Sequence, residues 1–492
     1  MRCCLTLVKV VAVCPGIVCK RRGERREFVN MLASPMSLSN APTMTSSRSW
    51  PYFDPEYDTM SSIIDPPKVM IDNDSEKNAT LVKVSSQNKH GTLLEVVQEL
   101  MDMDLTISKA YITSDGGWFM DVFHVTDQKG LKIRDEKLIG NIQKALSLQK
   151  KKWTAEFQKC PGRSVGTQTI SEHTAIELTG TDRPGLLSEV TAVLAEMSCR
   201  VNAAEVWTHN RRVACVMYVT DEDTLGPIEN VRKLERILEK LNPIMQGCDD
   251  EKVARSVVAE SFTHVERRLH QLMLADHDSD PSVSQSQISS RKQKNPNITV
   301  EIGSEKNYSV VKVQCLDRPK LLFDTVCTLT DLKYVVSHAT IYPSGSYAVQ
   351  EYHIRSMDGR TLDDPAKAKV KRCLEAAIER RSSEGLRLYL CTTDRPGLLT
   401  EVTRTFRENG LSVTRAEVST QGDKAVNTFY VTDVNGLPVD LKKVEAIRKE
   451  NPFLEVHAVP AASEGARVLD ASPFSKFIKS SERLLQGLGW RV

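Results

Sequence analysis

The sequence has little excess charge and no long apolar run. Its 66 Lys and Arg residues nearly balance 64 Asp and Glu residues, so the formal net charge is +2. Acids and bases are interspersed, so no general nucleic-acid footprint appears. A bilayer span needs about 20 consecutive apolar residues, and no run approaches that length. We therefore expect no nucleic acid and no membrane among its partners.

Motifs of common catalytic and metal sites are also missing. No H-E-x-x-H pair, Walker A loop or Cys-x-x-Cys pair occurs, so we expect no metal and no cofactor. Gly162–Gly166 fits the G-x-S-x-G pattern but lacks the strand and helix that would expose its serine. We predict that the chain is not an enzyme. Cysteines inside predicted elements indicate buried thiols and a reducing compartment, cytoplasmic or nuclear: Cys199, Cys215, Cys315 and Cys391.

One heptapeptide occurs twice, each time between a predicted strand and a predicted helix. Residues 181–187 read Thr-Asp-Arg-Pro-Gly-Leu-Leu, and residues 393–399 repeat them. Proline suits the first helical turn, the aspartate can accept from free amides there, and glycine leaves the main chain unshielded. Because a helix N-terminus is the positive end of the helix dipole, such a turn can hold a small carboxylate. The alternative is that the motif is only a turn and a cap.

Aligning the chain on Gly185 reveals four copies of one unit, which we call units one to four. Gly91, Gly185, Lys320 and Gly397 fall in register, each followed two residues later by leucine. Four residues on, every copy has an acid, which we interpret as a partner of the helix dipole: Glu95, Glu189, Asp324 and Glu401. Nineteen residues on, every copy has alanine: Ala110, Ala204, Ala339 and Ala416.

Each copy predicts a strand, a helix, two strands and a second helix, with a final strand where space permits. Alternation at Ile176 and Leu178 indicates the first strand, and Leu187, Val190 and Leu194 form a helical stripe. This order is the split βαβ layout of ferredoxin-like folds, whose antiparallel sheet carries its helices on one face. The predicted fold class is therefore α+β, with four ferredoxin-like βαββαβ modules.

Three stretches carry a resemblance to a known family. They are the repeated Asp-Arg-Pro-Gly-Leu-Leu turn, the segment at 115–123 and the segment Glu-Arg-Arg-Leu-His-Gln at 266–271. With them the chain resembles the plant ACT domain repeat proteins from roughly Trp50 to its C-terminus. The resemblance implies four ACT modules, which usually bind free amino acids between modules near the first turn. It also implies a regulatory, sensing role without a catalytic domain.

The modules further pair into two duplicated two-module blocks. Modules one and three share a leading strand, at 67–71 and 296–300, and modules two and four share the heptapeptide and a trailing helix. We expect each block to form a continuous or side-by-side sheet. The leading strand would fill an open edge of that sheet, and the trailing helix would pack on the sheet.

The predicted boundaries follow from these patterns. They are a disordered N-terminal extension over 1–60, module one with its leading strand over 66–158, module two over 172–247, a trailing helix over 249–275, a linker rich in Ser, Gln and Asp over 276–296, module three with its leading strand over 297–382, module four over 385–460 and a C-terminal helix over 472–490.

The four turns differ in their binding residues. Turns two and four keep aspartate and glycine, and the predicted ligand-binding residues there are Asp182, Gly185, Leu186, Leu187, Asp394, Gly397, Leu398 and Leu399. Turn one keeps Gly91 but has Asn88 in place of aspartate, which predicts a weaker site. Turn three has Lys320 in place of glycine. We expect that turn to be structural, or to supply Lys320 to a neighbour's ligand.

Two functions are consistent with these patterns. In the first, the protein is a non-catalytic regulatory sensor that binds a free amino acid. The ligand carboxylate takes the amides of Gly185 and Leu186, and a facing module supplies acceptors for the ammonium group. In the second, the modules form a scaffold for protein partners and bind no small molecule, because ferredoxin-like sheets expose edge strands.

Overall fold

The computed structural model describes residues 67–115, 117–147, 172–246, 254–259, 264–276, 296–303, 308–381, 386–450 and 454–458. The predicted extension over 1–60, the motif Gly162–Gly166, nearly all of the 276–296 linker and the helix over 472–490 lie outside these residues. The strands are β1 Lys68–Asp72, β2 Thr80–Gln87, β3 Thr106–Asp115, β4 Trp118–Thr126, β5 Thr174–Thr181, β6 Cys199–His209, β7 Arg212–Asp221, β8 Arg255–Val258, β9 Asn297–Ile302, β10 Ser309–Leu316, β11 Tyr334–Ser344, β12 Tyr347–Ser356, β13 Leu386–Thr393, β14 Leu411–Gln421, β15 Lys424–Asp433 and β16 Leu454–Ala458.

Helices follow the strands in the predicted order. They are α1 Thr92–Asp102, α2 Glu136–Ser147, α3 Leu186–Glu196, α4 Val231–Gln246, α5 Val265–Ala275, α6 Leu321–Asp331, α7 Asp364–Arg381, α8 Leu398–Glu408 and α9 Leu441–Glu450. Within the described part of the chain, none of these helices is both long and apolar enough to cross a membrane. The fold is α+β, as predicted.

All of the described strands belong to two antiparallel eight-stranded sheets. The first has the order β1-β2-β4-β3-β11-β12-β10-β9, and the second has the order β16-β13-β15-β14-β6-β7-β5-β8. The first sheet therefore joins units one and three, and the second joins units two and four. The prediction that each consecutive block forms its own sheet is wrong. Strand pairing joins units with the same edge arrangement, whereas contact between the two sheets includes helix α7 of unit three on strand β6 of unit two.

The edge arrangement explains the leading strands. In units one and three the leading strands β1 and β9 pair with β2 and β10, the first strands of the repeat. In units two and four the same place is taken by the final strands β8 and β16, which pair with β5 and β13. The prediction that a leading strand fills an open edge is confirmed.

The alanine column lies where two units meet. Ala110 pairs with Ile341 and Ala339 with Ile112 across the β3–β11 junction. Across the β6–β14 junction, Ala204 pairs with Val418 and Ala416 with Val206. All four alanines are buried, and the helix pairs α1–α6 and α3–α8 pack against each other within the same two sheets. Small side chains at the junction thus accompany close helix approach.

The two sheets differ in how many of their faces are covered. Along β4, in the first sheet, buried and partly exposed residues alternate, whereas all ten residues of β7 in the second sheet are buried. Helices α3, α4 and α8 contribute to the core on one face of the second sheet. Helices α5 and α7 contact its strands from the other face. A strand covered on both faces is apolar at successive positions, which the segment Val213–Val219 shows.

Cysteine burial follows the same alternation. Cys199, Cys215 and Cys315 are buried, as predicted, but Cys391 is exposed. The prediction for Cys391 is wrong because Leu388 and Leu390 face the core of unit four. Since side chains alternate between the two faces of a strand, Cys391 points away from that core.

Candidate ligand site between units two and four

A tight turn precedes each repeated helix. In unit two the Leu186 amide donates to the Arg183 carbonyl at 3.1 Å, and Gly185 has φ 84° and ψ −5°. These angles belong to the third residue of a type II turn, where glycine is favoured, and proline is common at the second residue. Pro184 therefore lies in the turn and not in the helix, which begins at Leu186. The placement of proline in the first helical turn is wrong.

The left-handed conformation recurs in all four copies. The φ values are 92° at Gly91, 84° at Gly185, 66° at Lys320 and 77° at Gly397. Because non-glycine residues rarely adopt positive φ, Lys320 occupies this position at an energetic cost. The N-cap residues Gly91, Gly185, Lys320 and Gly397 make no side-chain cap hydrogen bond. Asp182 instead accepts from the backbone amide of Arg183, within the turn.

An arginine of the motif explains the acid column better than the helix dipole does. The Arg183 guanidinium donates to both carboxylate oxygens of Glu189, at 2.7 and 2.6 Å. Unit three has the ion pair Arg318–Asp324, and unit four has Arg395–Glu401. Each pair ties the turn to the first turn of its helix. Spacing within the motif would have revealed this contact, since in units two, three and four the acid lies six residues after the arginine.

Turn two faces unit four across a mainly apolar cavity. Helices α3 and α8 pack together, with the hydroxyls of Thr191 and Thr403 3.1 Å apart. The cavity has a volume of about 30 Å³, and the predicted residues Asp182, Gly185, Leu186 and Leu187 line it. Its apolar wall combines both units: Leu178, Val190, Val206, Val213, Cys215, Met217, Met245, Phe406, Leu411 and Val413.

Arg407 of helix α8 supplies a cation to this cavity. A Cβ atom placed on Gly185 would lie 2.8 Å from Cδ of Arg407, so the arginine side chain packs directly against the bare turn. Arg407 is exposed, and its guanidinium makes no hydrogen bond or ion pair with the residues that the structure describes. The sequence-level expectation was that the facing unit offers acceptors, yet at this position it offers a donor.

Asp182 places an acid at the same cavity. Burial raises its pKa to about 7, although the neighbouring Thr208 side chain and the backbone amide of Arg183 act in the opposite direction. The Thr208 hydroxyl donates its one proton to the Thr414 carbonyl of unit four at 3.0 Å. The carboxyl group is thus positioned at the boundary between the two units.

The turn amides are only partly available. Leu186 uses its amide within the turn, so it does not belong to the free donors that the sequence predicted. No hydrogen bond to described residues occupies the amides of Gly185 and Leu187. The same division holds in unit four, where the Leu398 amide donates to Arg395 at 3.1 Å.

A second cavity of about 30 Å³ lies at the pseudosymmetric position. It contains Asp394, Gly397, Leu398 and Leu399 from turn four and faces Cys199, Arg200 and Val201 of unit two. Here the aspartate already has a cationic partner, because Arg200 forms an ion pair with Asp394 and its Nε lies 3.1 Å from Oδ2. Thr420 donates to the same oxygen at 3.2 Å.

The two cavities differ because the repeat has exchanged its arginines. Arg407 corresponds in the alignment to Ala195, and Arg200 corresponds to Ser412. The first cavity therefore keeps an arginine and an aspartate that are not paired with each other, and the second holds a closed ion pair. Sequence reasoning missed both arginines. The available signal was a charge difference between otherwise matching positions.

Turns one and three have different surroundings. In turn one the backbone amide of Asn88 donates to the Gly117 carbonyl at 2.7 Å. A Cβ atom added to Gly91 would have no neighbour within 4 Å. In turn three the Lys320 ammonium forms an ion pair with Glu266 of helix α5. Among the residues that the structure describes, no group of three or more His, Cys, Asp or Glu side chains is arranged to hold a metal ion.

Comparisons with protein families match the repeated units. A model described as the ACR family N-terminal ACT domain matches residues 75–152, in unit one. A model of the ACT domain matches residues 174–242 and 387–449, in units two and four.

Individual relatives extend the match over most of the chain. The ACT domain-containing protein ACR3 of Arabidopsis thaliana is 56% identical over 404 residues, which are 82% of this chain and 89% of that protein. ACR4 of the same plant is 51% identical and covers 80% of this chain and 87% of its own length. A bifunctional uridylyltransferase/uridylyl-removing enzyme of Azospirillum brasilense is 28% identical over 34% of this chain and 20% of the enzyme.

Proposed function

This chain belongs to the ACR family of ACT domain-containing proteins, and on that basis we propose that it is a non-catalytic regulatory protein that binds a free amino acid between units two and four. The observation that supports this proposal is that an acid, Asp182, and a base, Arg407, line one apolar cavity without forming an ion pair with each other. The two groups have complementary charges for the two ends of an amino acid.

In the proposed complex, the ligand ammonium group binds the carboxylate of Asp182. The ligand carboxylate binds the guanidinium of Arg407 and the amides of Gly185 and Leu187. Hydrogen bonds to charged groups contribute about 1.5–3 kcal/mol each. Two or three such bonds, less the cost of ordering the ligand, correspond to micromolar to millimolar affinity.

The cavity wall supports an aliphatic amino acid as the ligand. Its lining is dominated by Leu, Val, Met and Phe side chains, with polar groups confined to a few positions. A volume of about 30 Å³ is close to the space of one or two water molecules. Ligand entry therefore requires the exposed Arg407 side chain to swing away from Gly185, as long flexible side chains do.

The second cavity is proposed to bind more weakly, through Asp394, Gly397, Leu398 and Leu399. Arg200 already neutralises Asp394, so a ligand ammonium would compete with that arginine. Turn one, with Asn88 and Gly91, remains a predicted weak site because it lacks a carboxylate.

A ligand screen with matched glycine variants tests the proposal. Thermal shift and calorimetry with the twenty amino acids should find binding of aliphatic ones. Gly185→Val should abolish it, because its side chain meets Arg407, whereas Gly397→Val should retain it. Both substitutions strain a positive φ, but a Cβ atom on Gly397 has no neighbour within 4 Å.

The screen also separates the rival function. If no amino acid raises the melting temperature, the interaction-scaffold hypothesis replaces the sensor. Equal loss of binding in the two glycine variants would instead contradict the assignment to the first cavity. Asp182→Asn and Arg407→Ala should each weaken binding about tenfold or more, since each removes one charge-assisted contact.

A further inference from the structure

Helix α5 lies against the turn of unit three. Lys320 forms an ion pair with Glu266 in the first turn of α5, and His264, the N-cap residue of α5, hydrogen-bonds Asp102 at 3.0 Å. Asp102 ends helix α1. In the repeat, turn three and α1 of the first sheet correspond to turn two and α8 of the second sheet. The N-terminus of α5 therefore contacts the counterparts of the two elements that enclose the first cavity.

Two cations hold the Glu266 carboxylate. Besides Lys320, Arg381 at the end of helix α7 contacts it, with Nη2 2.9 Å from Oε2. Glu266 is 5% exposed and Arg381 is 4% exposed. Burial alone would raise the pKa of Glu266, but the positive charges of Arg381 and Lys320 outweigh burial and hold that pKa well below its usual range. The carboxylate is therefore ionised, enclosed and bonded from two sides.

Neighbouring charges complete the surroundings. Asp324 accepts from Arg381 at 3.0 Å and pairs with Arg318 at 2.8 Å and with His270 of α5 at 2.8 Å. Glu205 of the second sheet also approaches this group, and burial raises its pKa to about 7. Arg318 pairs with Asp324, Arg381 is shared between Asp324 and Glu266, and Lys320 pairs with Glu266.

The same helix reaches the second sheet. Leu269 and Met273 of α5 pack with Trp207 and Tyr218 on the face opposite the first cavity, and Arg268 binds Glu177 at 2.7 and 2.8 Å. A carboxylate anchored at turn three thereby holds α5 between the two sheets.

We propose that the turn of unit three is a carboxylate-binding site and that Glu266 of the same chain fills it, so that α5 acts as an internal ligand joining the two sheets. This site is separate from the proposed amino-acid site, and its test does not depend on that function. Lys320 takes the position of glycine, despite its positive φ, because its ammonium group binds this carboxylate.

Rescue by small carboxylates tests the proposal. Glu266→Ala removes a CH2–COO⁻ group, which has the shape and charge of acetate, and leaves the two cations beside the vacated space. We expect this variant to melt several degrees lower than the parent chain. Acetate should restore about half of that loss, whereas chloride at equal ionic strength should not, and the parent should respond equally to both salts.

Three variants make the test specific. Glu266→Gln fills the space without charge and should show no acetate rescue. The double variant Glu266→Ala with Lys320→Met should lose the rescue. Glu177→Ala removes another carboxylate partner of α5, and its Arg268 partner is 29% exposed, so acetate should change its melting temperature less than that of Glu266→Ala.

The proposal can be tested whether or not Glu266→Ala folds in chloride. If Glu266→Ala does not fold in chloride, the yield of refolded protein in acetate and in chloride replaces the melting temperature. Equal values in the two salts, or equal acetate effects on Glu266→Ala and Glu177→Ala, would overturn the proposal.

Discussion

Asp182 and Asp394 show how much the surroundings of a residue decide its chemistry. Both follow a strand, and both precede the same Arg-Pro-Gly-Leu-Leu sequence. Arg200 forms an ion pair with Asp394, whereas burial raises the pKa of Asp182 to about 7. One aspartate is neutralised by Arg200, and the other is the residue that we propose binds the ammonium group of the ligand.

We expect amino-acid affinity to depend on pH through Asp182. Arg183, on its own turn, is the charged group that lowers its pKa. Arg407 lines the same cavity and acts on Glu189. Because a ligand ammonium binds the ionised carboxylate and the pKa is about 7, affinity should rise about tenfold from pH ~6 to pH ~8 and then level off. Calorimetry at several pH values measures this, and Asp182→Asn should remove the dependence.

Stability of the free protein should change in the opposite direction. The pKa of Asp182 is raised in the folded state, so folding binds a proton between the ordinary value of 3.8 and about 7. This group therefore favours the folded state below that interval, and the contribution is lost as pH rises through it. A stability difference between parent and Asp182→Asn that does not vary with pH would contradict the raised pKa.

At the scale of elements, contact between β5 and α4 shapes the cavity. Gly180 in β5 has the backbone of Met245 so close that an added Cβ atom would lie 2.2 Å from the Met245 carbonyl oxygen. Met245 also lines the cavity between units two and four. Glycine at this strand position therefore lets the end of α4 reach the site.

Substitutions of two glycines test this contact. Gly180→Ala should lower the free energy of unfolding by about 1–3 kcal/mol or more, because a backbone atom has to move. Gly140→Ala, inside helix α2 with nothing within 4 Å of the added atom, should raise it by about 0.5–1 kcal/mol. Urea unfolding measures both. A neutral Gly180→Ala would contradict the close approach.

At the scale of the molecule, the four units form two sheets that are stacked and not joined edge to edge. Helix α5 contacts β7 of the second sheet and α6 above the first sheet. Arg381, whose guanidinium lies 4.7 Å from the centre of the Trp207 ring, links α7 to the second sheet. A substitution in α5 or at Arg381 is therefore expected to affect units that are far apart in the sequence.

Leu269→Ala should weaken both sheets together. Leu269 is 0% exposed, and truncation of a buried leucine costs about 2–5 kcal/mol. Hydrogen exchange should report faster exchange in β6 and β7 and also in β11 and β12. Val231→Ala, at a position that is 66% exposed, is the control and should change stability by no more than about 0.5 kcal/mol. Faster exchange in only one sheet would contradict the role of α5.

Local patterns determined the repeat, the order of strands and helices, the leading edge strands and the position of the turn, because each depends on residues near one another in the chain. Apolar alternation marked β5, and Pro-Gly before an apolar helix marked the turn at Gly185. The sequence also revealed that Lys320 stands apart from the other three turns. These inferences required no knowledge of which units touch.

Only the tertiary structure decided which units share a sheet, which arginine faces which aspartate, and what lies against Lys320. Arg407 and Gly185, like Arg200 and Asp394, are about two hundred residues apart in the chain, and no local pattern encodes their distance. Four similar units can pair in several ways with equivalent strand edges. The choice among those pairings depends on burial of whole faces and on helix α5 between them, which are properties of the assembled chain.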